Sequence, residues 1–207
     1  MKKFLIRIST FALPLIIFPL LIFNIDQYIL KSYFQSNGDI IIFGDSHTET
    51  GINDDINNQL NNISQSSETY FLSYYKLKKI LKKNKPSKII ISFSPHNLTF
   101  YQDEKMFGLN GSQRYKDLYP KYFLCLDREA IKQINKNSNI INFDIFNPVF
   151  KINTKSILKG SNAYIGEFRE SLKSNLDTLI INKRVRAHYY NDRNNIYSIS
   201  RLQIDYL

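Results

Sequence analysis

The chain has 207 residues, 43% of them apolar, with a formal net charge of +10. That length fits one medium domain with an appendage and excludes two full catalytic domains. The apolar content excludes a disordered tail, and a single cysteine excludes a disulfide framework or a multi-cysteine zinc site.

Lys2, Lys3 and Arg7 precede an apolar run from Ile8 to Ile25, in which only Ser9, Thr10 and Asn24 are polar. A bilayer core asks for about 20 apolar residues and accepts about 17. Pro14 and Pro19 would break a soluble helix, whereas a membrane-spanning helix accommodates them. The run leaves through Phe23-Asn24-Ile25-Asp26-Gln27 with no Ala-x-Ala cleavage site, which favours an uncleaved anchor over a signal peptide. Positive charge before the span keeps the N-terminus in the cytoplasm. The expectation is a single-pass protein of the inner (cytoplasmic) membrane with its soluble part extracytoplasmic.

Asp39-Ile40-Ile41-Ile42-Phe43 is a continuous β-rich run that stops at Gly44-Asp45-Ser46, the pattern of a buried parallel strand. A weak helix is expected over Thr48–Leu60, and a short second strand over Asn61–Ser64. Ser66 or Ser67 is positioned to cap a helix reaching about Lys83, before Pro86. The lysines at 76, 78, 79, 82, 83, 85 and 88 form the one dense basic run and read as its solvated face rather than a nucleic-acid surface. Lys88–Phe93 is a third buried strand. The alternation predicts an α/β fold with right-handed crossovers and a parallel sheet.

Beyond Asn97 the pattern loosens over Tyr101–Tyr119. A helix is expected at Asp127–Asn135, core at Ile140–Val149, loop at Phe150–Gly166, helix at Phe168–Ile181 and a polar loop at Tyr189–Asn195. Ser198 or Ser200 then caps a helix beginning at Leu202. Cys125 reads as buried packing, His188 as surface, and Asp103 and Glu104 as partners of nearby lysines.

Ligands bind beyond the carboxyl ends of parallel strands. Gly44-Asp45-Ser46-His47 and Pro95-His96-Asn97 lie there, with Ser64–Ser67 between them. Two readings fit Asp45-Ser46: a helix cap, or a nucleophilic serine on a strand-to-helix turn with free N–H groups for an oxyanion.

Ile41 to His47, Ile-Ile-Phe-Gly-Asp-Ser-His, resembles the first block of the SGNH/GDSL hydrolase superfamily, and more narrowly membrane-anchored bacterial members with a Gly-Asp-Ser-His signature. The resemblance covers about residues 39–98 and implies a flavodoxin-like three-layer sandwich. It also implies esterase or acyltransferase chemistry on a cell-envelope polysaccharide or lipid, with no cofactor or metal. By its motifs Ser46 is the nucleophile and Asn97 the oxyanion donor. The sequence departs from the family in having no Gly-x-Asn-Asp block, no glycine after the second strand and no late Asp-x-x-His to supply the base. His47 and His96 lie at the same sheet edge, and one of them, His96 foremost, is the substitute base on offer, with Asp45 in the same cluster.

The organisation expected is an anchor over residues 1–33 and a domain over 34–207. The domain divides into a β-α-β-α-β core at 39–98, an insertion-rich region at 99–197, and the start of a helix at 198–207. On this expectation the sandwich is incomplete and its catalytic end lies beyond Leu207. Two alternatives stand beside the hydrolase: a non-catalytic fragment or pseudoenzyme that binds envelope components, and a metal-dependent phosphoesterase using Asp45 and His47. Oligomeric state is left open. The anchor has a direct check: the chain should stay with the membrane through an alkaline carbonate wash, and a variant lacking residues 1–33 should appear in the supernatant.

Overall fold

The computed structural model describes residues 2–36, 39–138, 143–159, 166–170, 178–190 and 195–207. Its centre is β1 (Ile40–Phe43), whose run of β-branched and aromatic side chains is buried. Parallel partners flank it, β2 (Leu60–Asn62) and β3 (Lys88–Ile91), in the order β2-β1-β3. Ile40 faces Leu60 on one side and Lys88 on the other. Backbone bonds continue past the strands, from Gln65 N–H to Gly44 O (3.0 Å) and from Ser92 N–H to Phe43 O (2.9 Å).

Most of the rest is helical, so the described residues form a mostly helical protein around a small sheet. The helices are α1 (Lys2–Ser36), α2 (Ser46–Gly51), α3 (Tyr70–Leu81), α4 (Phe100–Phe107), α5 (Tyr115–Tyr122), α6 (Arg128–Asn137), α7 (Phe143–Lys159), α8 (Thr178–Tyr189) and α9 (Arg201–Asp205). The main core joins Phe71, Leu72 and Tyr75 of α3 to Met106, Tyr119, Tyr122, Ile134 and Val149. A second cluster on the sheet joins Ile41, Phe43 and Ile63 to Ile80, Leu30, Leu124 and Cys125.

α1 is long and apolar enough to cross a membrane. Large apolar side chains from Phe4 to Leu21 are exposed. At 1.5 Å per residue that stretch is about 27 Å long, close to the hydrocarbon thickness of a bilayer. Its C-terminal part docks on the domain through Ile22, Asp26 and Leu30, one helix face, which are buried. Phe18 meets Phe150 of α7 at 6.1 Å and Phe23 meets Phe123 at 6.2 Å.

Several expectations are corrected. The helix expected over Thr48–Leu60 is α2 followed by a 3₁₀ turn, Asp54–Ile56, because the asparagines compete with the helix through their own backbone bonds. Asn53 caps the turn, and Asn57 Oδ1 takes the Gln59 N–H at 3.0 Å. Thr69, not Ser66 or Ser67, caps α3. The third strand ends at Ile91 rather than Phe93, and Ile89, Ile90 and Ile91 are exposed on this edge strand.

The loop expected over Phe150–Gly166 is helix as far as Lys159. Ile145, Val149, Ile152 and Asn153 carry its inward stripe, a pattern that Pro148 and the asparagines obscure. Of the helix expected at Phe168–Ile181, residues 168–170 are not helical and Thr178–Ile181 belong to α8. Of the segments expected from sequence, residues 139–142, 160–165, 171–177 and 191–194 lie outside the described residues. The Tyr101–Tyr119 stretch contains α4 and most of α5. Cys125 is buried, and Ser200 caps α9. Asp103 takes its bond from Gln203 and Glu104 from Asn110 and Tyr197, not from lysines.

The solvated lysine face has one exception. Lys76 is 0% exposed and pairs with buried Glu68 at 2.7 Å. Glu68 also accepts from Tyr122 Oη (2.9 Å) and Ser73 Oγ (2.6 Å), while Lys76 Nζ donates to Ile63 O (2.5 Å). The pair thus ties the end of β2 to α3 and α5. Removing one partner leaves a buried charge uncompensated and costs about 3–5 kcal/mol. Glu68→Ala and Lys76→Met should each lower urea-denaturation stability by about that much, and the double variant Glu68→Leu/Lys76→Met by less than either.

Candidate functional site

The site forms where the carboxyl ends of β1 and β3 lie side by side. β1 runs into Gly44, where a Cβ would fall 2.2 Å from Thr48 Oγ1 and 2.3 Å from Ser92 Oγ. Only glycine lets the chain turn there between the two strand ends. Asp45 then caps α2: its Oδ1 accepts the His47 backbone N–H at 2.9 Å. The capping reading of Asp45 therefore holds, and its second oxygen remains for the site.

Past β3, Pro95–Leu98 forms a 3₁₀ turn that buries both His96 and Asn97. Asn97 Nδ2 donates to Asp45 Oδ2 at 3.0 Å, and His96 Nε2 lies 3.4 Å from the same oxygen. On its other side His96 Nδ1 meets Ser94 Oγ at 2.7 Å. The network continues inward, with Gln102 Nε2 donating to Asn97 Oδ1 (2.8 Å) and Lys105 Nζ donating to Gln102 Oε1 (2.8 Å). A line of polar groups thus runs Lys105–Gln102–Asn97–Asp45–His96–Ser94.

Burial pushes the His96 imidazole down to about 4, against the opposing pull of Asp45. The ring is neutral near pH 7, and Asp45 Oδ2, which can only accept, favours the tautomer with its proton on Nε2 and its lone pair toward Ser94. This is the protonation state that a general base requires. Burial also lowers Lys105, to about 8, with Arg114 adding to the effect.

Ser46 is exposed as the first residue of α2, with its Oγ in no hydrogen bond among the described residues. Both nitrogens of His96 are engaged elsewhere. His47 is exposed, its ring 6.1 Å from that of His96. The site therefore gathers Asp45, His96 and Asn97 closely and leaves Ser46 at their rim. The Ser64–Ser67 segment is covered in part: a Cβ on Gly166 would fall 1.7 Å from Ser64 O, so backbone lies directly over Ser64. Arg169 N–H anchors that cover on Glu49 O at 2.9 Å.

Ser94 and His188 were absent from the sequence-derived set. Ser94 follows the same strand-end rule as His96 and was legible by it. His188, expected at the surface, is half-buried and stacks on His96 with ring centroids 4.8 Å apart. No local pattern marks it, because α8 delivers it from far along the chain. Among the described residues no group of three or more His, Cys, Asp or Glu side chains is arranged to hold a metal ion.

Comparison with protein-family models, with curated proteins and with solved structures found no match.

The depressed His96 has a consequence for stability. The unfolded chain takes up this proton near pH 6.5, the folded one only near 4. Between those values the unfolded state binds more protons, so stability falls as pH drops through the window and is recovered as pH rises. The loss is on the order of 3 kcal/mol. Denaturation at stepped pH should show it, and His96→Gln should flatten most of the slope.

Proposed function

We propose that this chain is a membrane-anchored, extracytoplasmic SGNH-like esterase or acyltransferase acting on acyl esters of an envelope glycan or lipid. The observation that carries the reading is the Asp45–His96–Ser94 line: a hydroxyl 2.7 Å from a buried imidazole whose other nitrogen faces a buried carboxylate. The strand order β2-β1-β3 supports the flavodoxin-like sandwich. In that topology ligands bind at the crevice between the first and third strands, where Asp45 and His96 meet. Lys2, Lys3 and Arg7 ahead of the apolar stretch of α1 support an anchor with a cytoplasmic N-terminus.

The chemistry follows the general logic of serine acyl transfer. Ser94 Oγ attacks the ester carbonyl carbon as its proton passes to His96 Nδ1. The imidazolium so formed faces Asp45, which stabilises it. The proton then goes to the departing alkoxide, and the serine ester is resolved by water in an esterase or by an acceptor hydroxyl in a transferase. Ser46 is the nucleophile by resemblance and lies beside Asp45. In that role it draws on an imidazole other than His96, and its chain neighbour His47 is the exposed one.

A second reading is favoured by Asn97. Its Nδ2 donates to Asp45 Oδ2 and its Oδ1 accepts from Gln102, so the amide is held toward the carboxylate and at most one of its two N–H bonds is left for an oxyanion. On that reading the domain is a non-catalytic envelope-binding module. Hydrolysis of p-nitrophenyl acetate by the full chain in neutral detergent separates the two. Ser94→Ala should lose at least about a hundredfold in kcat/KM, the scale of positioned acid–base catalysis. Loss in Ser46→Ala instead moves the nucleophile to Ser46. Equal background rates in wild type and both variants exclude the enzyme.

A further inference from the structure

A second feature adjoins the serine site and shares Lys105 and His188 with its surroundings. Between α5 and α7, with Tyr101 and Lys105 of α4 on its wall, lies a cavity of about 660 Å³, within the size range of small-ligand sites. Its walls carry Lys105, Arg114, Lys116, Lys121, Lys151 and Lys155, against one carboxylate, Asp117. Among the described residues the ion pairs are made by Lys76, Lys78, His96 and Arg169, and none by these six. Lys105 is only 7% exposed, and its ammonium is bonded to an amide oxygen of Gln102 rather than to a carboxylate. A cavity lined by six cations and one carboxylate carries a positive field that attracts an anion.

We propose that this cavity is a binding site for a phosphate-bearing ligand carrying at least two negative charges. Lysines act as point-charge donors to phosphate oxygens, and a guanidinium grips two at once. The site has five of the former and one of the latter. Two sources share this chemistry: a soluble phosphorylated glycan and a phospholipid headgroup. The first fits His188, which lines the cavity and stacks on His96, so a bound glycan lies next to the serine site. The second fits α7, which carries Lys151 and Lys155 and packs on the apolar helix through Phe150 and Phe18.

The proposal concerns binding and stands apart from the serine chemistry. Its test reads heat of binding, so either can fail without the other. Pyrophosphate is titrated into the full chain in uncharged detergent at about 0.1 M salt, where surface charge is screened within about 10 Å. Lys105→Met/Arg114→Gln should weaken binding at least tenfold. Because Lys105 is buried, Arg114→Gln/Lys151→Gln, at two exposed positions, is the parallel variant and should show the same loss. Lys82→Gln/Lys83→Gln, which removes equal charge from the exposed end of α3, should change affinity less than twofold. Displacement of pyrophosphate by phosphatidylglycerol vesicles, and not by phosphatidylcholine vesicles, assigns the headgroup. Its persistence against both assigns a soluble ligand. Absence of pyrophosphate binding, equal losses in cavity and control variants, or tighter binding of a single-stranded oligonucleotide through the same residues overturns the proposal.

Discussion

The buried Glu68–Lys76 pair is the interaction on which the rest of the architecture depends. Its two charges lie inside a core of Phe43, Tyr122 and Ile63, where an unmatched ion is costly. Each is satisfied: the carboxylate by Lys76, Tyr122 and Ser73, the ammonium by Glu68 and the Ile63 carbonyl. Such bonds are directional, so the end of β2, the start of α3 and the end of α5 meet in one arrangement. An apolar trio of similar volume would pack as well without demanding that geometry. α5 is a wall of the basic cavity, so this pair also sets where that wall stands relative to the sheet.

From there the polar edge of the sheet is built. Gly44 lets β1 turn beside β3, and the turn at Pro95–Leu98 sends His96 and Asn97 inward. Asp45 is the node where they meet, one oxygen spent on capping α2 and the other shared between an amide and an imidazole. Desolvation keeps that imidazole neutral by lowering its affinity for a proton, and Asp45 acts in the opposite sense. The same desolvation acts on Lys105 at the inner end of the network, where it favours a bound anion. Burial therefore shapes both the proposed chemistry and the proposed binding site, and the two adjoin at His188.

Where patterns were strictly local, the sequence was readable. The run Ile40–Phe43 forms the central strand, the helix expected from Asp127 forms at Arg128–Asn137, and Ser200 caps the last helix. Where the pattern was diluted it was not. Pro148 and Asn153 masked the stripe of α7, although a helix accepts one missing donor, and Asn153 satisfies itself on Val149 O at 2.7 Å. Lys76 looked like its neighbours in the basic run. Only the approach of Glu68 and Tyr122 from other elements distinguishes it.

The sequence by itself determined the apolar helix at the N-terminus, the parallel β-α-β-α-β order and the concentration of Asp45, Ser46, His96 and Asn97 at one sheet edge. Those follow from hydropathy, turn residues and strand direction, which are properties of consecutive residues. The tertiary structure alone decided that His96 bonds Ser94 rather than Ser46, that Asn97 serves Asp45, that His188 joins them, and that six cations share one cavity. Each of these depends on distances between elements remote in the chain. They are set by packing and by the need to satisfy buried polar groups, which no run of neighbours encodes.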